Sequence, residues 1–259
     1  MSQSDSSESW VFGFSVLEFF RKDCVVKHEE IGWDLRNLPH RQRTAAMQTW
    51  FRERGLTPPA RVGDIEQGIP EIVTITDVYT NGKFFADIEA GVMWKVGADP
   101  VPFVLRSNIG GPGDVFIPEI NGMIPLVKQD RVTLGITTWE IPRGFFSPGA
   151  HARTEAVKVS VQSIPAGFWN ITKELVEEVG TGEIVEVQFL GEIAENSGTT
   201  TTSPCYWWLR LNEATIGGTE GMKVKLVEKS KILSLIGTEV RDSHSITALA
   251  LWAKASGQF

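Results

Sequence analysis

Residues 72–96 read IVTITDVYTNGKFFADIEAGVMWKV, and this stretch decides the fold class. Its first arm, Ile72 to Tyr79, is rich in β-branched residues and runs into Asn81-Gly82. Asn-Gly accepts the positive φ angles of a type I′ turn, whose twist matches that of a two-stranded ribbon. In the second arm every even position is apolar: Phe84, Ala86, Ile88, Ala90, Val92, Trp94 and Val96. Lys83, Asp87, Glu89 and Lys95 stand at odd positions. Side chains alternate across a strand, so one face of this arm meets a core and the other mostly meets water. A helix would scatter the same set around its axis. The stretch predicts an antiparallel hairpin.

The rest of the chain repeats the theme. Val115 to Ile120 and Met123 to Val127 flank a second turn, Asn121-Gly122, with Pro118 and Pro125 expected to hold both arms at sheet edges. Further strands are predicted at Trp10 to Phe20, Val101 to Leu105, Val132 to Ile141, Val157 to Val161, Ile184 to Ile193, Cys205 to Leu211 and Met222 to Val227. Ile232 to Ile236 and Ile246 to Ala253 read as the last two. Two helices interrupt them. Thr44 to Arg54 is capped by Thr44 and stopped by Gly55 and Pro58-Pro59; Phe168 to Val179 is closed by Gly180. The expectation is a mainly β fold, an antiparallel β-sandwich or barrel of about ten strands with two short helices. Nothing alternates strand with helix in the manner of a nucleotide-binding or (β/α)₈ fold.

The expected organisation is an N-terminal arm with an Arg-rich helix over 1–66, a β module over 67–165 and a second over 166–259, or one β domain over 67–259. A faint internal echo, Glu71-Ile-Val73 recurring as Glu183-Ile-Val185 and Trp139 as Trp252, leaves open whether the two modules are related, and chance matches of this length are common in such β chains.

The chain has 259 residues, 42% hydrophobic and 22% charged, with a net charge of −7. This excludes intrinsic disorder, coiled coils and disulfide scaffolds. Cys24 and Cys205 make no zinc or redox spacing, and whether they pair stays open. Residues 1–9 lack the basic start and apolar run of a signal peptide, so the expected location is the cytoplasm or, for a viral chain, the virion. No run is long enough to span a bilayer as a helix.

Catalytic patterns are absent. There is no Gly-x-Ser-x-Gly, and Arg241-Asp-Ser-His-Ser245 reads as a polar turn. Gly110-Gly-Pro-Gly113 and Gly180-Thr-Gly182 lack the Lys-Ser/Thr of a phosphate loop. Cys24, His28 and His40 do not complete a metal set, so neither metal nor cofactor is expected. Asp87 with Glu89, and Glu183 with Glu186, are the carboxylate pairs a glycan-cleaving β fold would need.

Arg36, Arg41, Arg43, Arg52, Arg54 and Arg61 crowd one segment with a single acid, Glu53. They are the candidate contacts to nucleic acid or another anion. Trp207 and Trp208 are adjacent on a strand and so point to opposite faces; one of them needs cover from a helix, a second subunit or a ligand. Phe145 and Phe146, in a Pro/Gly loop, pose the same question. These four are the interface candidates. With nine Trp and fourteen Phe against two Tyr, the aromatic surface exceeds what one molecule is expected to hide. The functional expectation is a non-enzymatic, self-assembling homo-oligomer, a coat, shell or matrix-type component. The alternatives are a carbohydrate- or ligand-binding β-sandwich and a glycan-active hydrolase using strand carboxylates.

Overall fold

The computed structural model describes residues 26–59, 63–81, 85–109, 113–131, 135–144, 157–161, 168–194, 200 and 203–258. The chain is mainly β, as its sequence predicts, with two open sheets of four and eight strands and no closed barrel. The expected strand at Trp10 to Phe20 lies outside the described residues.

The four-stranded sheet is antiparallel, in the order β1 (Val26–Asp34), β2 (Glu71–Asn81), β3 (Phe85–Met93), β4 (Val101–Asn108). The β2–β3 pair is the hairpin read from sequence, with Asn81 opposite Phe85 and the turn at 82–84 outside the described residues. Ala86, Ile88, Ala90 and Val92 are buried, as their alternation requires. The alternation fails at the end: β3 stops at Met93, leaving Trp94 and Val96 56% and 73% exposed.

Helix α1 (His40–Glu53) covers this sheet with Met47, Trp50 and Phe51. It starts four residues before Thr44, with Pro39 at the N-cap position, so Thr44 caps nothing. Pro39 brings a fixed φ and no N–H to a position where no intrahelical donor is needed. The helix is anchored by charge: Glu71, fully buried, accepts two bonds from Arg43 (2.7 and 2.8 Å), one from His40 Nδ1 (3.0 Å) and the Ile65 N–H (3.2 Å). Burial pushes this carboxyl up, and the donors around it, Arg43 first, hold it below the usual carboxylate range.

The eight-stranded sheet is mixed. Its main order is β12 (Val224–Glu228), β6 (Met123–Arg131), β5 (Asp114–Ile120), β11 (Cys205–Ile216), β10 (Gly180–Glu192), β9 (Val157–Val159). Strand β7 (Ile136–Glu140) pairs with β6, and the two-residue β8 (Arg143–Gly144) with β5. The β5–β11 and β9–β10 pairs are parallel.

Asn121 (φ 51°) and Gly122 (φ 76°) form the turn between β5 and β6 with both residues left-handed, as the sequence predicts. The expectation that Pro118 and Pro125 keep these strands at edges does not hold: β5 is central, and every one of its residues is buried. The reason lies in the direction of the missing donor. Phe116 N–H reaches the Pro142 carbonyl, so Pro118, two residues on, faces the same side, where β5 meets β6 only at Ile120–Met123. Lys128 N–H points to Lys223, beside β12, which sends the nitrogen of Pro125 the opposite way. Neither proline interrupts a ladder bond.

Each face of this sheet carries a helix. On one lies α2 (Trp169–Glu174), which continues as a π-helical turn, Leu175–Val179, and packs Ile171, Leu175 and Val179 on Phe116, Trp207 and Leu209. On the other lies α3 (Ser243–Ala255), packing Ala248, Leu249 and Trp252 on Val115, Ile117 and Tyr206. Two expected strands are corrected here. Ile246 to Ala253 is helix, N-capped by Asp242, whose side chain accepts the Ser245 N–H (3.1 Å), and Ile232–Leu235 is a 3₁₀ turn. Ala, Leu and Lys favour helix, and the buried set Ser245, Ala248, Leu249, Trp252 repeats at helical, not strand, spacing. Among the described residues no helix is long and apolar enough to cross a membrane.

Removing Arg43 takes away the guanidinium of the buried Glu71 and leaves it only His40 and the Ile65 N–H. Arg43→Ala is expected to cost about 3–5 kcal/mol in urea unfolding, and pairing Arg43→Met with Glu71→Leu to recover most of it. A loss near zero in the single variant would show that the pair does not anchor α1.

Candidate functional site

The helix on the β11 face carries three glutamates, Glu174, Glu177 and Glu178, in the run KELVEEVG at 173–180. Glu174 and Glu178, four apart, share one side of the helix and flank the apolar stripe of Ile171, Leu175 and Val179. Carboxylates on a helix usually face water. Here Glu178 is only 6% exposed, and the Glu174 side chain 13%.

Two glycines bring backbone against them. A Cβ on Gly144 of β8 would fall inside the Glu174 carboxyl, and one on Gly218 would meet the Glu177 carbonyl. The segment after β11 also closes the helix end. Gly217, Thr219 and Glu220 donate their N–H groups to the carbonyls of Val179 (2.8 Å), Val176 (3.1 Å) and Glu177 (3.0 Å). Those carbonyls would otherwise be orphaned by the π turn and the strand that follows at Gly180. The same segment adds the Glu220 carboxylate to the neighbourhood.

Burial dominates the electrostatics. It pushes Glu174 up to about 7, against the pull of Lys173 and with further pushes from Glu177, Glu220 and Asp114. It pushes Glu178 up to about 8, although the Arg143 N–H donates to its Oε2 at 3.0 Å. Lys173 is the near ammonium, 3.3 Å from Glu177 and 3.9 Å from Glu174. The Arg143 guanidinium is engaged elsewhere, with Glu140 (3.2 Å) and Asp242 (3.3 Å), and Arg131 forks onto Glu140 as well. The cluster thus concentrates acid, with Lys173 its near ammonium.

Hard divalent cations prefer such oxygen donors. Among the described residues no three His, Cys, Asp or Glu side chains converge to form a cage. In general Mg²⁺ keeps most of its waters and is held through one or two carboxylates together with substrate phosphates. Glu174 and Glu178 are the two that fit.

Beside the carboxylates the sheet continues the site. Asp114, paired with Gly144 across β5–β8, accepts the Trp207 indole N–H at 2.9 Å. Trp207 is 3% exposed beneath α2, and Trp208, on the other face, packs in the α3 core and donates to Glu119 (3.1 Å). The opposite-face reading of this pair holds, and helices of the same chain supply the cover. Phe145 and Phe146 lie outside the described residues.

The arginine segment is elsewhere. Arg43 is buried on Glu71; Arg36 pairs with Asp34 (2.6 Å); Arg54 pairs with Glu29 (3.1 Å) and lies over the Trp50 ring; Arg52 donates to Gln48 (3.3 Å). Arg41 is exposed, and Arg61 lies outside the described residues. Asp87 pairs with Arg106, Glu183 with Lys158, and Glu186 with Arg210, so the strand carboxylates are engaged in ion pairs on sheet surfaces.

No protein-family model matches the sequence, and no curated protein matches it. The fold is similar to a solved structure described as "Crystal structure of ADP compounds hydrolase", with a TM-score of 0.53 and 14% identity. The match covers 73% of this chain and 97% of that one. This likeness overturns the expectation of a self-assembling coat, shell or matrix-type component. Among tryptophans with described side chains, Trp94 alone is exposed, while Trp50, Trp207 and Trp252 are buried. The carbohydrate-binding and glycan-hydrolase alternatives fall with it.

The raised carboxyls set a pH dependence with a definite sign. Between about pH 4.5 and 8 the folded chain holds protons on Glu174 and Glu178 that the unfolded chain releases. Their contribution to stability is therefore full below about 4.5 and is lost as pH rises through 7 and 8. Melting temperature is expected to fall over this range, Mg²⁺ to restore it at pH 8, and Glu178→Gln to flatten the profile. A wild-type profile as flat as that of the variant would remove these carboxyls as the cause.

Proposed function

We propose that the chain is a divalent-cation-assisted hydrolase that cleaves a phosphoanhydride bond in an ADP-containing compound. The observation that carries this reading is the pair of desolvated carboxyls, Glu174 held against Gly144 and Glu178 on the Arg143 N–H. A diphosphate arrives with negative charge of its own, so cation and substrate are expected to bind together. The fold likeness to a hydrolase of ADP compounds supports the same chemistry.

Bound Mg²⁺ would supply a Lewis acid that polarises a phosphoryl oxygen and lowers the pKa of a coordinated water. Glu178, fixed by the Arg143 N–H, and Glu174 would hold the ion. The attacking water would give up its proton to bulk water as the new P–O bond forms. The bridging P–O bond breaks, and the leaving phosphate carries away the electron pair.

The test is turnover of ADP-ribose in Mg²⁺, with products resolved by anion-exchange chromatography. AMP and ribose 5-phosphate are expected, and Glu178→Gln should lower kcat by about 100-fold or more. Absence of turnover on ADP joined to a sugar or to a second nucleotide, in Mg²⁺ or Mn²⁺, would overturn the proposal.

A further inference from the structure

The four strands of the antiparallel sheet share one end, fixed by Trp33 opposite Ile75, Glu71 opposite Met93 and Val92 opposite Val101. There β1 ends at Asp34, β2 begins at Glu71, β3 ends at Met93 and β4 begins at Val101. Five of the ten large apolar side chains exposed among the described residues belong to this end. Leu38 follows β1, Ile69 precedes β2, Trp94 and Val96 follow β3, and Val101 opens β4. The opposite end, at Val26, Asn81, Phe85 and Asn108, carries none of them.

A tight turn builds the crest of this end. Ala98 donates its N–H to the Lys95 carbonyl at 3.1 Å, and Gly97 takes a left-handed φ of 78°. Glycine meets no steric cost at that position, so Gly97 sets the turn and Val96 is carried to its crest. Turns ordinarily place polar or chain-bending residues there. Val96 is instead the most exposed of the ten apolar side chains, with Trp94 beside it. Lys95 and Asp99, one charge of each sign, flank the crest and are both exposed.

Size decides between occupants. A stable dimer engages about 20–30 residues a side. The apolar part of this end is five side chains on strand ends and a turn crest. A bilayer asks for less: a few apolar side chains at the acyl boundary, a Trp at headgroup level and charges among the headgroups. Paired charges of opposite sign match a zwitterionic headgroup, whereas the net charge of −7 works against an anionic one.

We infer that the turn between β3 and β4, with Trp94 and Val96 at its crest, docks the chain on a zwitterionic lipid surface. Val96 enters the acyl boundary and Trp94 lies at headgroup level. Lys95 meets the lipid phosphate and Asp99 the quaternary ammonium. This surface is independent of the hydrolase reading, whose carboxyls belong to the other sheet.

The experiment sediments the full chain with phosphatidylcholine vesicles and reads tryptophan quenching by a brominated phosphatidylcholine. Wild type is expected to bind with an affinity unchanged from about 50 to 500 mM salt, because no net charge is matched. Replacing about a quarter of the lipid with phosphatidylglycerol should weaken it. Val96→Asp should weaken binding about tenfold or more, while Val96→Leu should retain it. Trp94→Phe should still bind but lose the quenching. Melting curves of the three variants check that the fold is intact. Absence of wild-type sedimentation overturns the inference, and so does quenching that persists in Trp94→Phe. Binding that phosphatidylglycerol strengthens and salt removes also overturns it, as does a dimer that Val96→Asp dissolves, which would assign this end to a second copy.

Discussion

The eight-stranded sheet is buried on both faces along its centre, and most of what is distinctive in this molecule follows from that constraint. Tyr206 and Trp208 on one face of β11 and Trp207, Leu209 and Leu211 on the other are apolar, and neither set can be left in water. Each face needs a helix, and the chain supplies one from either side of β10 and β11 in sequence: α2 before them and α3 after. Because α2 must lie with its apolar side on β5 and β11, its glutamates are carried to the rim, where β8 and the 217–221 segment meet it. Sheet packing, rather than any preference of the carboxylates, puts acid where water is scarce.

That placement is costly in isolation. A carboxyl held up near 8 has lost more hydration than its single backbone donor restores. The Glu71 centre in the other sheet shows the opposite solution: equally deep, it is given Arg43, His40 and a backbone N–H, and it stays ionised. Two buried glutamate sites in one chain thus differ in whether the protein itself provides the countercharge. Where it does, the group is structural. Where it does not, the site is suited to a charge from outside.

Much of the architecture is written in local pattern. The alternation at 86–92, the Asn121-Gly122 turn and the opposed tryptophans at 207 and 208 are short-range signals, and each is realised in the structure. Signals that depend on distant partners were not legible. Ile246 to Ala253 satisfies either period over eight residues, and the deciding mark, Asp242 three residues before Ser245, reads as a polar turn until a helix is known to follow. The prolines of β5 and β6 look like edge markers because sequence does not reveal which way a nitrogen points. KELVEEVG shows three glutamates on one side of a helix, which in isolation means a wet face. Their burial comes from Gly144 and Gly218, 30 positions before Glu174 and 40 after Glu178, and no spacing rule connects these.

Arg143 joins the two faces of the eight-stranded sheet. Its backbone N–H fastens Glu178 on one side of the sheet, while its guanidinium grips Asp242, the residue that begins α3 on the other. A single residue at the sheet's end therefore works as a crossbar between the two helical layers. Neither the first turn of α3 nor the acid beneath α2 can be displaced without straining the same short piece of chain.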